Sequence, residues 1–315
     1  MPFMERTTVG VAPGTGQLFD AAPAIHVYFL NQLDGAELQR SGGWALANAF
    51  SFLGRVRMLD EPSTPVRTPS YEPRIRLQLL RLSAPRPAGR GLGRILLGFH
   101  LDAAHYSNGQ KGCALADHLR GTGASDFDCI PETDPPSTAL NTVDGSFTTN
   151  YVGAGLRGKW MAFRPAGGPA AWTATAGLAA EWHLPCSFSG CMDPPMRARH
   201  GEVVARWIAE ADLLVVRGRE RRIPLLGTVV TDGRLRGTVQ GRVHLPAAGD
   251  PFGDVSLEAA FVARTARALG VGPFIRLRRG RDDLNIHFEE RLDTWIFGVV
   301  VDPAPAETLD LGSAH

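Results

Sequence analysis

No run of about 18 consecutive apolar residues occurs anywhere in the 315-residue chain, so a membrane-spanning helix is excluded. Charge of one sign is also missing. Lys and Arg number 33 against 32 Asp and Glu, a net +1, which leaves none of the basic field that a nucleic-acid binder needs. There is no repeat of fixed period, no low-complexity tract and no convincing helical pattern. Met1 to Asp20 lacks a charged start followed by an apolar core, so no secretory signal peptide is read there. An exported protein would then have to begin at its mature start, or its gene start would lie elsewhere. The composition favours one large domain over two small ones.

Cysteine is scarce, with four in the chain. They fall in two local pairs, Cys113 with Cys129 and Cys186 with Cys191, each in a segment rich in Gly, Pro, Ser and Asp. Loop disulfides in an oxidising compartment suit that pattern. A zinc site drawing on His118 and His183 is the rival, although neither pair has CxxC spacing.

A mean hydropathy of −0.08 does not exclude the membrane, because barrel strands alternate lipid-facing and lumen-facing residues and average to ordinary values. Such alternation is present. Ile95, Leu97, Phe99, Leu101 and Ala103 share one parity, opposite Gly98, His100, Asp102 and Tyr106. Val152, Ala154, Leu156 and Trp160 stand against Tyr151, Arg157 and Lys159, and Trp172 to Trp182 alternate with Thr173, Thr175, Glu181 and His183. Val203 to Leu213, Val239 to Leu245 and Val255 to Phe261 continue the pattern, with charge gathered on one face. A soluble lipid-binding barrel would turn the apolar face inward. Strand length and the tryptophans at the ends of the stripe suit a lipid-facing band with aromatic girdles.

Long segments, 109–145 and 184–201, alternate with the short turn 164–169, which is the habit of outer-membrane barrels. Segments 24–31, 44–58 and 72–82 add three or four strands before Arg94, and the region 217–235 accommodates a long strand, a turn or an extra hairpin. The expected fold is therefore an all-β, antiparallel transmembrane barrel of about twelve strands in one domain. Residues 1–23 are expected to form a lead, 24–303 the barrel and 304–315 a tail.

His105 and Ser107 are two apart on a strand, so both project to the same face, about 7 Å apart along the backbone. They extend the apolar parity to the rim, where an unpaired polar group would cost about 1–3 kcal/mol. Asn150 continues the matching parity of the next strand. Its carbonyl oxygen can accept from one imidazole nitrogen while the other faces Ser107 Oγ, an arrangement of nucleophile, base and orienting group. The plainer alternative is that all three are ordinary interfacial residues.

The run His105-Tyr106-Ser107-Asn108-Gly109-Gln110 resembles the His-x-Ser-Asn-Gly signature of the outer-membrane phospholipase A family, and Ser146 to Tyr151 resembles that family's next strand. Looser echoes are Tyr71-Glu72-Pro73 opening a strand, and Gly280 to Leu284 leading to Phe288 before the last. The resemblance spans roughly 71–301. It implies a twelve-stranded outer-membrane barrel that hydrolyses acyl esters of glycerophospholipids, depends on Ca2+ and works as a homodimer. On that resemblance Ser107 is nucleophile, His105 base and Asn150 orienting residue. Gln110, through its backbone, and Ser146, through its side chain, would bind calcium, and the Ser107 amide would help to hold the oxyanion. Asp117, Asp126 and Asp128 in the unusually long 109–145 loop are candidate substitute ligands. The end Ser313-Ala314-His315 departs from the terminal aromatic usual in such barrels. The competing readings are a non-enzymatic pore or structural barrel, and another outer-membrane esterase such as a lipid A deacylase.

Overall fold

The computed structural model describes residues 3–302 except 15–16, 61–65, 90, 117, 121–128, 132–138, 165–168, 188–189, 193, 217–220, 224–226, 230–231, 248, 265–268 and 283. The alternating segments form one antiparallel sheet that closes on itself. Its strands are β1 (Thr7–Ala12), β2 (Gln17–Ala22 and Ala24–Asn31), β3 (Gly43–Leu59), β4 (Val66–Leu82), β5 (Gly91–Ser107) and β6 (Thr148–Phe163). Then follow β7 (Trp172–His183), β8 (Val203–Val216), β9 (Asp232–Leu245), β10 (Phe252–Arg264), β11 (Gly270–Gly280) and β12 (Thr294–Asp302). Each pairs with the next. β12 returns to β1, with Thr7 opposite Val301 and Val11 opposite Phe297. Of the 14 strands in the sheet, the two halves of β2 form one line along β3, broken at Pro23, and Arg86–Ala88 only prolongs the line of β4 along β5. The wall therefore has twelve staves, as the alternation predicts.

Three boundaries differ from expectation. The barrel begins at Thr7 and not at residue 24, because β1 is six residues long with only Val9 and Val11 as large apolar side chains, too brief a pattern to read. Among the described residues there are two α-helices, α1 (Ala36–Ser41) and α2 (Pro194–His200), each too short to show a 3.6-residue period. Region 217–235 holds a hairpin, Arg221–Ile223 against Gly227–Val229, before β9 begins. The tail 304–315 lies outside the described residues.

The polarity of the wall is that of a membrane barrel. Leu97, Phe99, Leu156 (64% exposed) and Leu178 (69%) face outward. Trp207 shares their parity but lies half-buried across Gly241, where a Cβ would meet its ring at 2.9 Å. Inward, Arg76, Asp102, Glu210, Asp212, Arg234 and Arg236 are all buried. A soluble barrel would reverse these faces. Trp44, Trp160 and Trp172 ring one end of the apolar band, and Tyr71, Trp182 and Trp295 ring the other. This is an outer-membrane-type transmembrane β-barrel.

The end reached by β5 at Ser107, here the upper end, carries the two longest connections, 108–147 and 184–202, together with 281–293. The lower end is filled by an apolar cluster of Leu33, Leu80, Leu82, Leu96, Met161 and Phe163, with Phe3 and Leu38 packed against it. Phe3 to Arg6 then crosses the lumen. Arg76 and Arg157 donate to the Phe3 carbonyl at 3.0 and 3.2 Å, and Arg6 reaches Glu210 at 2.5 Å and Asp302 at 3.2 Å. A polar cavity of about 330 Å³ remains beside this segment. Above it the upper loops fold over the mouth, packing Ala114, Phe147, Met192, Met196, Ile286 and Phe288 into a cap.

Candidate active site

β5 and β6 pair in unbroken register from Leu92–Phe163 to Ser107–Thr148, which sets His105 directly opposite Asn150. Both side chains lie on the outward parity, with Leu101 and Ala103 below them on β5 and Val152 on β6. His105 Nδ1 and Asn150 Oδ1 are 2.8 Å apart. An amide oxygen can only accept, so Nδ1 must donate, and the lone pair is left on Nε2. That nitrogen is the one a general base needs.

Ser107, the last residue of β5, follows on the same face and is half-buried, between Thr148 on β6 and Tyr71 on β4. Its hydroxyl makes no hydrogen bond to a described residue, so the His105–Asn150 half of the arrangement is formed and the His105–Ser107 half is open. Such bonds often tighten only when substrate excludes water. Tyr71 is outward and exposed, with its ring 6.2 Å from Phe52. The strand it belongs to begins earlier than expected, at Val66, which puts Tyr71 across from Ser107.

Asn108 escaped the sequence reading. It is buried, and its side chain ties both ends of the long loop together. Nδ2 donates to the Gly145 carbonyl at 2.7 Å, while Oδ1 accepts from Gln110 N at 3.1 Å and Phe147 N at 2.9 Å. The Asn108 amide also donates to the Phe147 carbonyl at 2.9 Å. This clamp fixes the chain immediately after Ser107. Its sequence signal was the Ser-Asn-Gly run itself, since Gly109 takes the left-handed φ of 69° that lets the strand turn.

The clamp brings Gln110 and Ser146 to the base of the same loop, where several neighbouring oxygens each accept a hydrogen bond. The Gly112 carbonyl accepts from Ser146 N at 2.8 Å, the Asp144 carbonyl from Gly112 N at 3.0 Å, and the Asp144 carboxylate from Asn141 at 2.6 Å. Calcium takes six to eight oxygen ligands. Gln110 and Ser146 by themselves supply fewer than that, and no cluster of three or more His, Cys, Asp or Glu among the described residues is placed to hold a metal. Asp117, Asp126 and Asp128 lie outside the described residues.

Cys113 bonds Cys129, with Cα atoms 5.8 Å apart. Cys186 and Cys191 face each other across a short hairpin, though their side chains lie outside the described residues. His183 lies at the upper end of β7. It belongs to a buried aromatic stack under the cap, 4.9 Å from His200, which is 4.6 Å from His244. Sequence reasoning missed this stack because its members sit on β7, α2 and β9, far apart in the chain.

No protein-family model matches the chain. No curated protein matches it either. Among solved structures, the chain is similar to the β domain of the Bordetella autotransporter BrkA, at 10% identity and a TM-score of 0.40, over 94% of this chain and 95% of that one.

Proposed function

We propose that the protein is an outer-membrane lipid esterase that hydrolyses acyl esters of glycerophospholipids with Ser107, His105 and Asn150. The observation that carries this reading is the His105–Asn150 hydrogen bond on the lipid-facing side of the rim. The bond satisfies two polar groups at the lipid boundary and also orients the imidazole toward the side on which Ser107 lies. The ion pairs that hold the barrel together lie inside it.

In the reaction, Ser107 Oγ attacks the ester carbonyl while His105 Nε2 takes the hydroxyl proton, and Asn150 Oδ1 stabilises the resulting imidazolium. The tetrahedral intermediate collapses with cleavage of the ester C–O bond, and the imidazolium returns the proton to the departing lysolipid oxygen. Water, deprotonated by His105, then attacks the acyl-enzyme and releases the fatty acid, restoring Ser107. Gly109 N, exposed and making no backbone hydrogen bond among the described residues, is available to the oxyanion beside the Ser107 amide. No step passes through a metal.

A pore is disfavoured by the lumen, which is filled below, crossed by Phe3–Arg6 and capped above. The test is hydrolysis of a fluorogenic phospholipid by purified, refolded protein, with and without excess chelator. Turnover that survives chelation and disappears in Ser107→Ala is expected. A wild type inert toward every phospholipid, with and without calcium, sinks the reading and leaves a structural barrel.

A further inference from the structure

The outward rim of β11 and β12 lies apart from the β5–β6 site, around the barrel wall, and carries an unusual charge arrangement. Arg279 is the last outward residue of β11 and is 71% exposed on its side chain. Arg291, just before β12, is 75% exposed. Both flank Asp293, at 4.0 and 3.7 Å, beyond hydrogen-bond distance. The other arginines of this rim are spoken for. Arg199 pairs with Glu289, Arg281 donates to the Glu289 carbonyl, and Arg67 reaches Glu290. Two guanidinium groups thus share one carboxylate and keep their N–H donors open.

Their depth is set by the strands. Trp295, on the outward face of β12, pairs with Leu277 of β11 and belongs to the upper girdle, with Phe297 and Val299 continuing the apolar stripe beneath it. Asp293 and Arg279 lie two residues beyond Trp295 and Leu277 on the same parity. On a strand tilted as in membrane barrels that step climbs about 5 Å. Tryptophan girdles mark the headgroup boundary, so the guanidinium groups stand at the level of lipid phosphates. The backbone presenting them is held by Leu292 N to the Gly280 carbonyl at 2.8 Å and by the Arg281–Arg291 bridge.

We propose that Arg279 and Arg291 clamp the phosphate of an anionic membrane lipid against the β11–β12 wall, its acyl chains lying along Trp295 and Phe297. Arginine's planar fork suits phosphate, and the patch is net positive where a zwitterionic headgroup would bring its own cation. Asp293 competes with the phosphate for both arginines.

The experiment is native mass spectrometry of the full chain in a zwitterionic detergent, with diether phosphatidylglycerol or diether phosphatidylcholine added. Ether-linked lipids cannot be hydrolysed, so the outcome is independent of the esterase reading. Wild type is expected to hold one phosphatidylglycerol about tenfold more tightly than phosphatidylcholine, since two basic side chains at an anionic surface give roughly thirtyfold and Asp293 takes back about threefold. Arg279→Gln with Arg291→Gln should erase that preference while phosphatidylcholine binding stays as it was. Asp293→Asn should raise phosphatidylglycerol affinity about threefold, a gain that misfolding cannot imitate. Equal affinity for the two lipids on wild type, a preference surviving in the double variant, or displacement by equimolar inorganic phosphate would each overturn the proposal.

Discussion

Strand β5 carries the same spacing twice, once on each face. His100 and Asp102 point into the lumen, and five residues further on His105 and Ser107 point into the membrane. By residue type the inner pair is the better acid–base couple, since it has a carboxylate where the outer set has only an amide. Its surroundings disarm it. Asp102 is gripped by Arg76 through two bonds of 2.7 Å, one to each oxygen, and His100 Nε2 stands 3.8 Å from it. The His100 ring lies over Gly155, where a Cβ would fall 2.4 Å from the imidazole. The outer histidine has one well-placed partner, a half-open neighbourhood and a lipid phase in front of it. On the proposed reading, the same chemistry is structural on one face and catalytic on the other because of what can reach it.

The largest expected effect breaks the comparison on its outer side. Ser107→Ala should lower hydrolysis by roughly 10³-fold or more with the barrel intact, because nothing else forms the acyl-enzyme. His105→Ala should do nearly as much. Asn150→Ala should cost less, roughly 10²-fold, since it loosens the imidazole without removing it. The double variant of Ser107 and His105 should be no worse than either alone, as expected of residues that act as a unit. Additive losses in a phospholipid assay, or melting that falls in step with activity, would point to damage of the rim instead.

On the inner side the expected outcome is reversed. Arg76→Ala leaves Asp102 buried without its bidentate partner and removes one of the two donors to the Phe3 carbonyl, so stability should fall by roughly 3–5 kcal/mol. Activity per folded molecule should stay within a few-fold of wild type. Urea unfolding by heat-modifiable gel mobility gives the first number, and turnover in lipid-saturated detergent the second. A large activity loss with unchanged stability would tie the inner network to catalysis and erase the distinction drawn between the faces.

The two faces were not equally legible in the sequence. Outward residues announced themselves, because Leu97, Phe99, Leu156 and Leu178 repeat every second position, and a strand's parity alone places His105, Ser107 and Asn150 together once the hairpin register is known. The inner face shows which residues are charged and not whom they meet. Arg76 meets Asp102 through the β4–β5 register, whereas Arg6 reaches Glu210 only because the wall closes and Phe3–Arg6 crosses the lumen. Nothing in Phe3-Met4-Glu5-Arg6 signals that course. The cap was hidden for a related reason: Phe147, Met192, Met196 and Ile286 come from three loops, and loops carry no period. Parity likewise says nothing about loop oxygens, so the calcium roles of Gln110 and Ser146 rest on the resemblance alone.

The smallest expected effect concerns the cap, where a third kind of histidine sits, neither lipid-facing nor tied to an acid. His200 on α2 packs 5.3 Å from Phe147 and 5.2 Å from Phe288, between His183 and His244, with its Nδ1 3.1 Å from the Gly201 carbonyl. Burial lowers its pKa to about 3, helped by His183 and by Arg242 and Arg206, the bond to Gly201 only partly opposing them. In an opened cap the same imidazole would titrate near the ordinary value of about 6.5. Between those limits the open form binds a proton that the closed form does not, so the cap loses stability as pH falls through about 6.5 toward 3, and loses none above it. The wall should not follow, since its hydrogen-bonded ladder does not depend on this proton. Hydrogen exchange of the 196–200 amides, corrected for the intrinsic pH dependence of exchange, should therefore accelerate by up to roughly 75-fold between pH 7 and pH 4.5 while β5 and β6 stay protected. His200→Phe keeps an aromatic ring against Phe147 and Phe288 and removes the proton site, so it should flatten the response. An unchanged response in that variant would assign the acid sensitivity to His183 or His244 and leave His200 a packing residue.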